Sequence, residues 1–206
     1  MDIQNKNRKL LKKNHVYDET MEHDACGVGL VASTEGLKSR KVVEYGIEAL
    51  KAVWHRGAID ADGKTGDGAG IHIEIPNDFF AEKIEITGHE HDNSDLCVGM
   101  IFLPRNDFGG QEQCRSIVES ELTKKNFNIY GWRQVPVDPS VLGEKAEQTR
   151  PEITQVLFTH NDKSIHGKDL ERALYETRRK IEKEALKNQL NNFYICSFSS
   201  KSIIYK

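Results

Sequence analysis

The sequence predicts an α+β fold, with helices and strands mixed along one chain. Three features carry that reading. Residues 96–103 (LCVGMIFL) are apolar throughout and stop at Pro104, as a buried strand does. Residues 71–75 (IHIEI) alternate apolar and polar, the mark of a half-buried strand. Val43, Ile47, Leu50 and Trp54 recur at steps of four, three and four, one apolar face of a helix.

Taken in order, the chain starts with a polar basic stretch over residues 1–13 and an acidic one over 17–25 (YDETMEHDA). No apolar segment follows the basic residues, which excludes a secretory signal, and the acidic residues oppose a transit peptide. A flexible polar arm and a processed pro-segment remain as readings. Residues 26–32 (CGVGLVA) read as a short buried strand whose glycines admit another backbone closely. Residues 33–36 turn into the helix that carries Val43 and Trp54. That helix is expected to end at His55-Arg56-Gly57, with Gly57 as its cap.

Residues 58–70 (AIDADGKTGDGAG) form a loop rich in glycine and aspartate. After the 71–75 strand, Pro76 sits near the first turn of a helix through Phe79, Phe80 and Ile84. Residues 87–94 (TGHEHDNS) are a polar loop. Beyond the 96–103 strand come a helix over 111–125, a strand over 129–135, a turn into a short helix after Pro136, and a strand over 153–159. Residues 168–190 read as a long charged helix with Leu170, Leu174, Ile181 and Leu186 along one side. Residues 193–198 and 203–205 read as the two strands of a hairpin.

The chain has 206 residues, a length suited to one domain or two small ones. With 29 basic and 32 acidic residues the net charge is −3, so a small polar metabolite suits the chain better than nucleic acid or an anionic membrane. No apolar run approaches the roughly 20 residues of a membrane-spanning helix, and a cytoplasmic location is expected. None of the cysteines pairs as CxxC, and their spacing fits no zinc template. Cys97 and Cys196 lie in apolar runs and read as small core residues.

Cys26 is the first candidate for chemistry. A thiol is already a few per cent thiolate at neutral pH. Were the Ala25–Cys26 bond cut, Cys26 would carry a free α-amine with a pKa of about 7.7–8.0, close to where a general base works best. One residue would then supply nucleophile and base. Spacing alone favours a packed cysteine instead. Arg56 is the second candidate, because a guanidinium holds a carboxylate in a two-pronged fork; spacing alone favours a helix-end charge. The 65–70 loop (TGDGAG) lacks the Gly-Lys-Ser/Thr of a phosphate-binding loop and leads into a strand, so a tight backbone turn is the better reading. His89-Glu90-His91-Asp92 offers metal-ligand types in a row, but reads as a solvated loop.

Read together and in order, these segments carry more than they do singly. MEHDACGVG, then ALKAVWHRGAIDADGKTGDGAG, then VPVDPSVLGEKA and RPEITQV resemble the amino-terminal glutaminase domain of the glutamate synthase family of class II glutamine amidotransferases. The resemblance implies an N-terminal-nucleophile hydrolase fold, a four-layer αββα sandwich incomplete at its C-terminal side. It implies that residues 1–25 are a pro-segment that is removed, and that 26–206 are the amino-terminal part of the domain. Cys26 would be the nucleophile that forms a glutamyl thioester. Arg56 would hold the α-carboxylate of L-glutamine. The ammonia released would go to 2-oxoglutarate, making L-glutamate in further synthase domains that use FMN and an iron–sulfur cluster. A small NAD(P)H-oxidising subunit or ferredoxin would be the partner. The oxyanion-hole Asn-Gly and the remaining substrate-binding residues of the family match nothing before Lys206. A chain of this extent is therefore expected to show little glutaminase activity alone, since each missing oxyanion donor costs about 10²–10³ in rate. Two other readings stay open: the glutaminase part of a different class II amidotransferase, and a non-catalytic interaction module with Cys26 in its core.

Overall fold

The apolar run at 96–103 fixes where the core lies. In a computed structural model that describes residues 27–54, 57–90 and 95–206 together with Lys6, this run is strand β2, Leu96–Leu103. It is central because both its faces are apolar. Cys97, Ile101 and Leu103 enter one core, and Leu96, Val98 and Met100 enter a second on the opposite face.

Strand β1 is Ile71–Glu74, β3 is Phe127–Gln134, β4 is Glu152–His160, β5 is Tyr194–Ser199 and β6 is Ser202–Tyr205. Four of them form a sheet in the order β3-β4-β2-β5, and β1 pairs with β6 in a second sheet. All pairings are antiparallel. The helices are α1 (Arg40–Ala52), α2 (Asn77–Ile86), α3 (Phe108–Lys124), α4 (Glu144–Thr149) and α5 (Gly167–Lys187), with a 3₁₀ turn at Pro139–Val141.

The first core fills the space between the four-stranded sheet and helices α3 and α5, where Cys114, Val118 and Leu122 meet Leu170, Leu174 and Ile181. On the other face, the second core joins Tyr130, Leu157 and Cys196 to Ile75, Phe80, Ile84 and Ile203. Helix, sheet and sheet therefore stack in that order, with α2 closing the second core. Helix α1 packs against β1, and Gly46 leaves room there for Ile71. The α+β expectation is met, and every expected strand after residue 70 is present.

Four local expectations are corrected. Residues 27–32 form no strand, and Val28 and Leu30 are each 91% exposed. Glycine-rich apolar sequence is compatible with a strand, but a strand exists only where its backbone pairs with another, and among the described residues, 27–32 join neither sheet. Helix α1 stops at Ala52, and Trp54 is 74% exposed, off the apolar stripe. Gly57 therefore does not cap it; its N–H instead closes a turn on the Trp54 carbonyl at 3.1 Å. Helix α3 starts at Phe108 rather than at the expected residue 111, taking in Gly109 and Gly110, because the Asp107 carboxylate caps the Gly110 N–H at 2.8 Å.

The fourth correction concerns the C-terminal strands. β5 and β6 are not a hairpin: β5 pairs with β2, and β6 with β1. Residues 199–202 cross between the sheets, and Glu171 of α5 holds the crossing. Its carboxylate accepts from Ser199 Oγ at 3.0 Å, Ser200 N at 2.8 Å and Ser200 Oγ at 2.7 Å. Two short apolar strands around a serine turn satisfy a hairpin pattern locally, and only the long-range partners tell the two arrangements apart.

Candidate active site

Cys26 and Arg56 both lie outside the described residues, as do His91 and Asp92. The chain around the two candidates is described. Residues 27–32 pass beside α1, where a Cβ on Gly29 would lie 4.0 Å from Ala49 Cβ. Helix α1 begins at an N-cap, Ser39, whose side chain accepts from Lys41 N at 3.2 Å. Its end feeds the loop at 57–70, which returns the chain to β1. Cys26 thus directly precedes the segment beside α1, and Arg56 directly precedes the loop.

That loop is closed on itself by its aspartates. Asp67 accepts from Ala58 N at 2.8 Å, Ile59 bridges to Gly66, and Asp60 N donates to the Thr65 carbonyl at 2.8 Å. Asp62 accepts from Lys64 N at 2.9 Å, Thr65 N at 2.7 Å and Thr65 Oγ1 at 2.5 Å. These bonds, the Thr65 hydroxyl first, hold the Asp62 carboxyl far below the usual carboxylate range. Gly63 and Gly68 adopt positive φ, which explains two of the loop's glycines. At Gly70 the loop meets β6 so closely that a Cβ would lie 2.9 Å from the Tyr205 carbonyl oxygen. The expectation of a tight turn packed on a neighbouring strand holds. The amides of Ala58, Ala61, Lys64 and Thr65 donate to the loop's own carboxylates, which suits a rigid turn rather than a phosphate cradle.

Sequence reasoning missed the other half of this region. The loop rests on Gly143 and the first turn of α4. Lys145 Nζ reaches both carboxylate oxygens of Asp60, at 2.7 and 2.8 Å. The segment that supplies it, VDPSVLGEKA, stood out only through resemblance, because a Gly-Glu-Lys sequence has no chemistry legible by itself.

The remaining cysteines are not nucleophile candidates. Cys97, Cys114 and Cys196 are buried. Burial is the first cause that raises each thiol pKa, to about 11 at Cys114 and higher at Cys97. Among the described residues no three His, Cys, Asp or Glu side chains are grouped to hold a metal ion. Buried protonated thiols do not fit an iron–sulfur cluster, whose ligands are thiolates.

Residues 26–206 match the family model described as glutamine amidotransferases class-II, and the chain belongs to that family. Its mixed helices and antiparallel sheets agree with the N-terminal-nucleophile hydrolase class expected of the family. The chain is 52% identical over 200 residues to the NADPH glutamate synthase large chain of Azospirillum brasilense, covering 97% of this chain and 13% of that protein. It is 38% identical over 186 residues to ferredoxin-dependent glutamate synthase 2 of Synechocystis, covering 90% of this chain and 12% of that one. It is 36% identical over 194 residues to the chloroplastic ferredoxin-dependent glutamate synthase 2 of Arabidopsis thaliana, covering 93% and 12%. The chain thus spans about an eighth of the length of these relatives. Among the described residues no helix is long and apolar enough to cross a membrane.

Proposed function

We propose that this chain forms the amino-terminal part of the glutaminase domain of a cytoplasmic glutamate synthase. One observation carries the reading: the family match begins at Cys26, the residue that cleavage after Ala25 would turn into an N-terminal nucleophile. The 52% identity to a glutamate synthase large chain supports this acceptor over that of another class II amidotransferase.

In the proposed reaction Cys26 Sγ attacks the side-chain amide carbon of L-glutamine. The free α-amine of Cys26 takes the thiol proton and delivers it to the departing nitrogen, which leaves as ammonia. Water then cleaves the thioester, releasing L-glutamate and restoring the thiol. Arg56 pairs with the substrate α-carboxylate and fixes which end of the molecule faces the thiol. The ammonia passes to 2-oxoglutarate in synthase regions that the chain does not include. When bound in those regions, FMN and an iron–sulfur cluster would supply the reducing electrons. The higher identity to the NADPH-type protein than to the ferredoxin-dependent ones favours a small NAD(P)H-oxidising subunit as the partner.

The test is glutamine-dependent ammonia release by the full-length gene product. Cys26→Ser is expected to lower kcat by on the order of 10⁴ or more, as loss of a covalent nucleophile does. Arg56→Lys is expected to raise KM roughly 10- to 100-fold, the value of a charge-assisted fork. Undiminished hydrolysis by Cys26→Ser would overturn the assignment.

A further inference from the structure

The loop that follows Arg56 is seated on a platform, and the platform is tied to the central sheet. Arg105 lies just beyond β2, and its guanidinium donates to the Glu147 carbonyl at 3.1 Å and the Glu147 carboxylate at 2.5 Å. Arg150 Nε donates to the same carboxylate at 2.8 Å. The start of the platform is fixed by Asp138, which accepts from Ser140 N at 3.0 Å and Ser140 Oγ at 2.6 Å. From this base Lys145 spans to Asp60, 85 positions away in sequence.

Gly143 makes the seat possible. Its φ of −75° and ψ of 163° suit any residue, so conformation does not demand glycine. Space does. A Cβ there would lie 2.5 Å from the Thr65 backbone nitrogen, and closer still to Thr65 Oγ1 and the Asp62 carboxylate. A backbone atom cannot swing aside as a side-chain tip can. A side chain at 143 must lift the loop off the platform.

We propose that Gly143 and Lys145 are positioning residues for the candidate glutamine site. They seat the 57–67 loop, which Arg56 directly precedes in sequence, on a base fixed to β2. The proposal rests on the reading of Arg56 as the carboxylate grip. Neither residue touches substrate. A grip that binds ground state and transition state alike shows itself in KM rather than kcat.

The test uses the full-length gene product with three variants: Gly143→Ala, Lys145→Gln and Lys145→Arg. Two quantities are read, amide hydrogen exchange over residues 63–66 and the glutamine kinetics. Gly143→Ala is expected to speed exchange and raise KM at least about tenfold, the order of a lost charge-assisted contact to the substrate carboxylate, with kcat nearly unchanged. Lys145→Gln is expected to move both by about two- to fivefold, the range of an exposed ion pair. Lys145→Arg keeps the charge and should restore both. Lys145 is exposed, so its variants fold whatever Gly143→Ala does. Unchanged exchange in both Gly143→Ala and Lys145→Gln overturns the seat. Faster exchange with unchanged KM overturns the link to the site. A wild-type protein that does not hydrolyse glutamine overturns the functional reading and the positioning role with it, while the exchange data still report separately on the seat.

Discussion

Gly99, in the middle of β2, shows how far single residues govern this core. A Cβ there would lie 2.7 Å from Val156 Cγ1 and 2.8 Å from the Phe198 ring. The bare backbone lets that ring lie across the strand and reach Phe158, with ring centroids 4.9 Å apart. An alanine in a strand is ordinarily better than a glycine. Here Gly99→Ala is expected to destabilise by about 1–3 kcal/mol, the usual cost of overpacking. Urea unfolding of the variant checks this, and a gain in stability would contradict the packing described. Residue by residue, the sequence identified which cysteines are inert. Cys97 and Cys196 stand in apolar runs, and both are buried. It did not disclose the requirement at Gly143, because that need arises from a loop 78 positions upstream, at Thr65.

Among the elements, α5 separates what periodicity supplies from what it misses. The buried stripe is Leu170, Leu174, Thr177, Ile181 and Ala185. Leu186, placed on that stripe by its apolar character, is 73% exposed. At about 100° per residue, position 185 lies roughly 40° from Ile181 and position 186 roughly 140° away, on the far side. Geometry prevails over side-chain type there. Leu174→Ala is expected to cost about 2–5 kcal/mol, and Leu186→Ala less than about 0.5 kcal/mol. Thermal or urea unfolding of the two variants distinguishes them, and equal losses would contradict the assigned face. Strand positions were legible to within a residue or two because apolar runs bounded by Pro and Gly define them. Pairing was not. The crossing at 199–202 and the coil at 27–32 depend on which edges the rest of the fold presents.

For the molecule as a whole, one sheet works as a divider between two cores. Helices α3 and α5 close one core; the β1–β6 pair and α2 close the other. A two-stranded sheet is marginal alone, and here Ile203, with Ile75 just past β1, anchors it to the four-stranded sheet. The α1 side is less enclosed: α1 has no buried residue, and Val28, Leu30 and Trp54 are exposed. The segments flanking both site candidates belong to this open side. The candidate site itself was legible only through motifs read in order, because neither Cys26 nor Arg56 stands out by spacing.

The proposed role of Cys26 is that of an N-terminal nucleophile for glutamine. It is tested most directly by mass spectrometry of the full-length gene product after treatment with a glutamine-mimicking diazo ketone near pH 8. Cys97 and Cys114 are buried with thiols held protonated at that pH, so they should stay unmodified in the folded protein. A mature chain that begins at Cys26 and carries one adduct there is expected, with labelling suppressed by L-glutamine. A chain that retains residues 1–25 with Cys26 unlabelled, or an adduct that glutamine does not suppress, would contradict it.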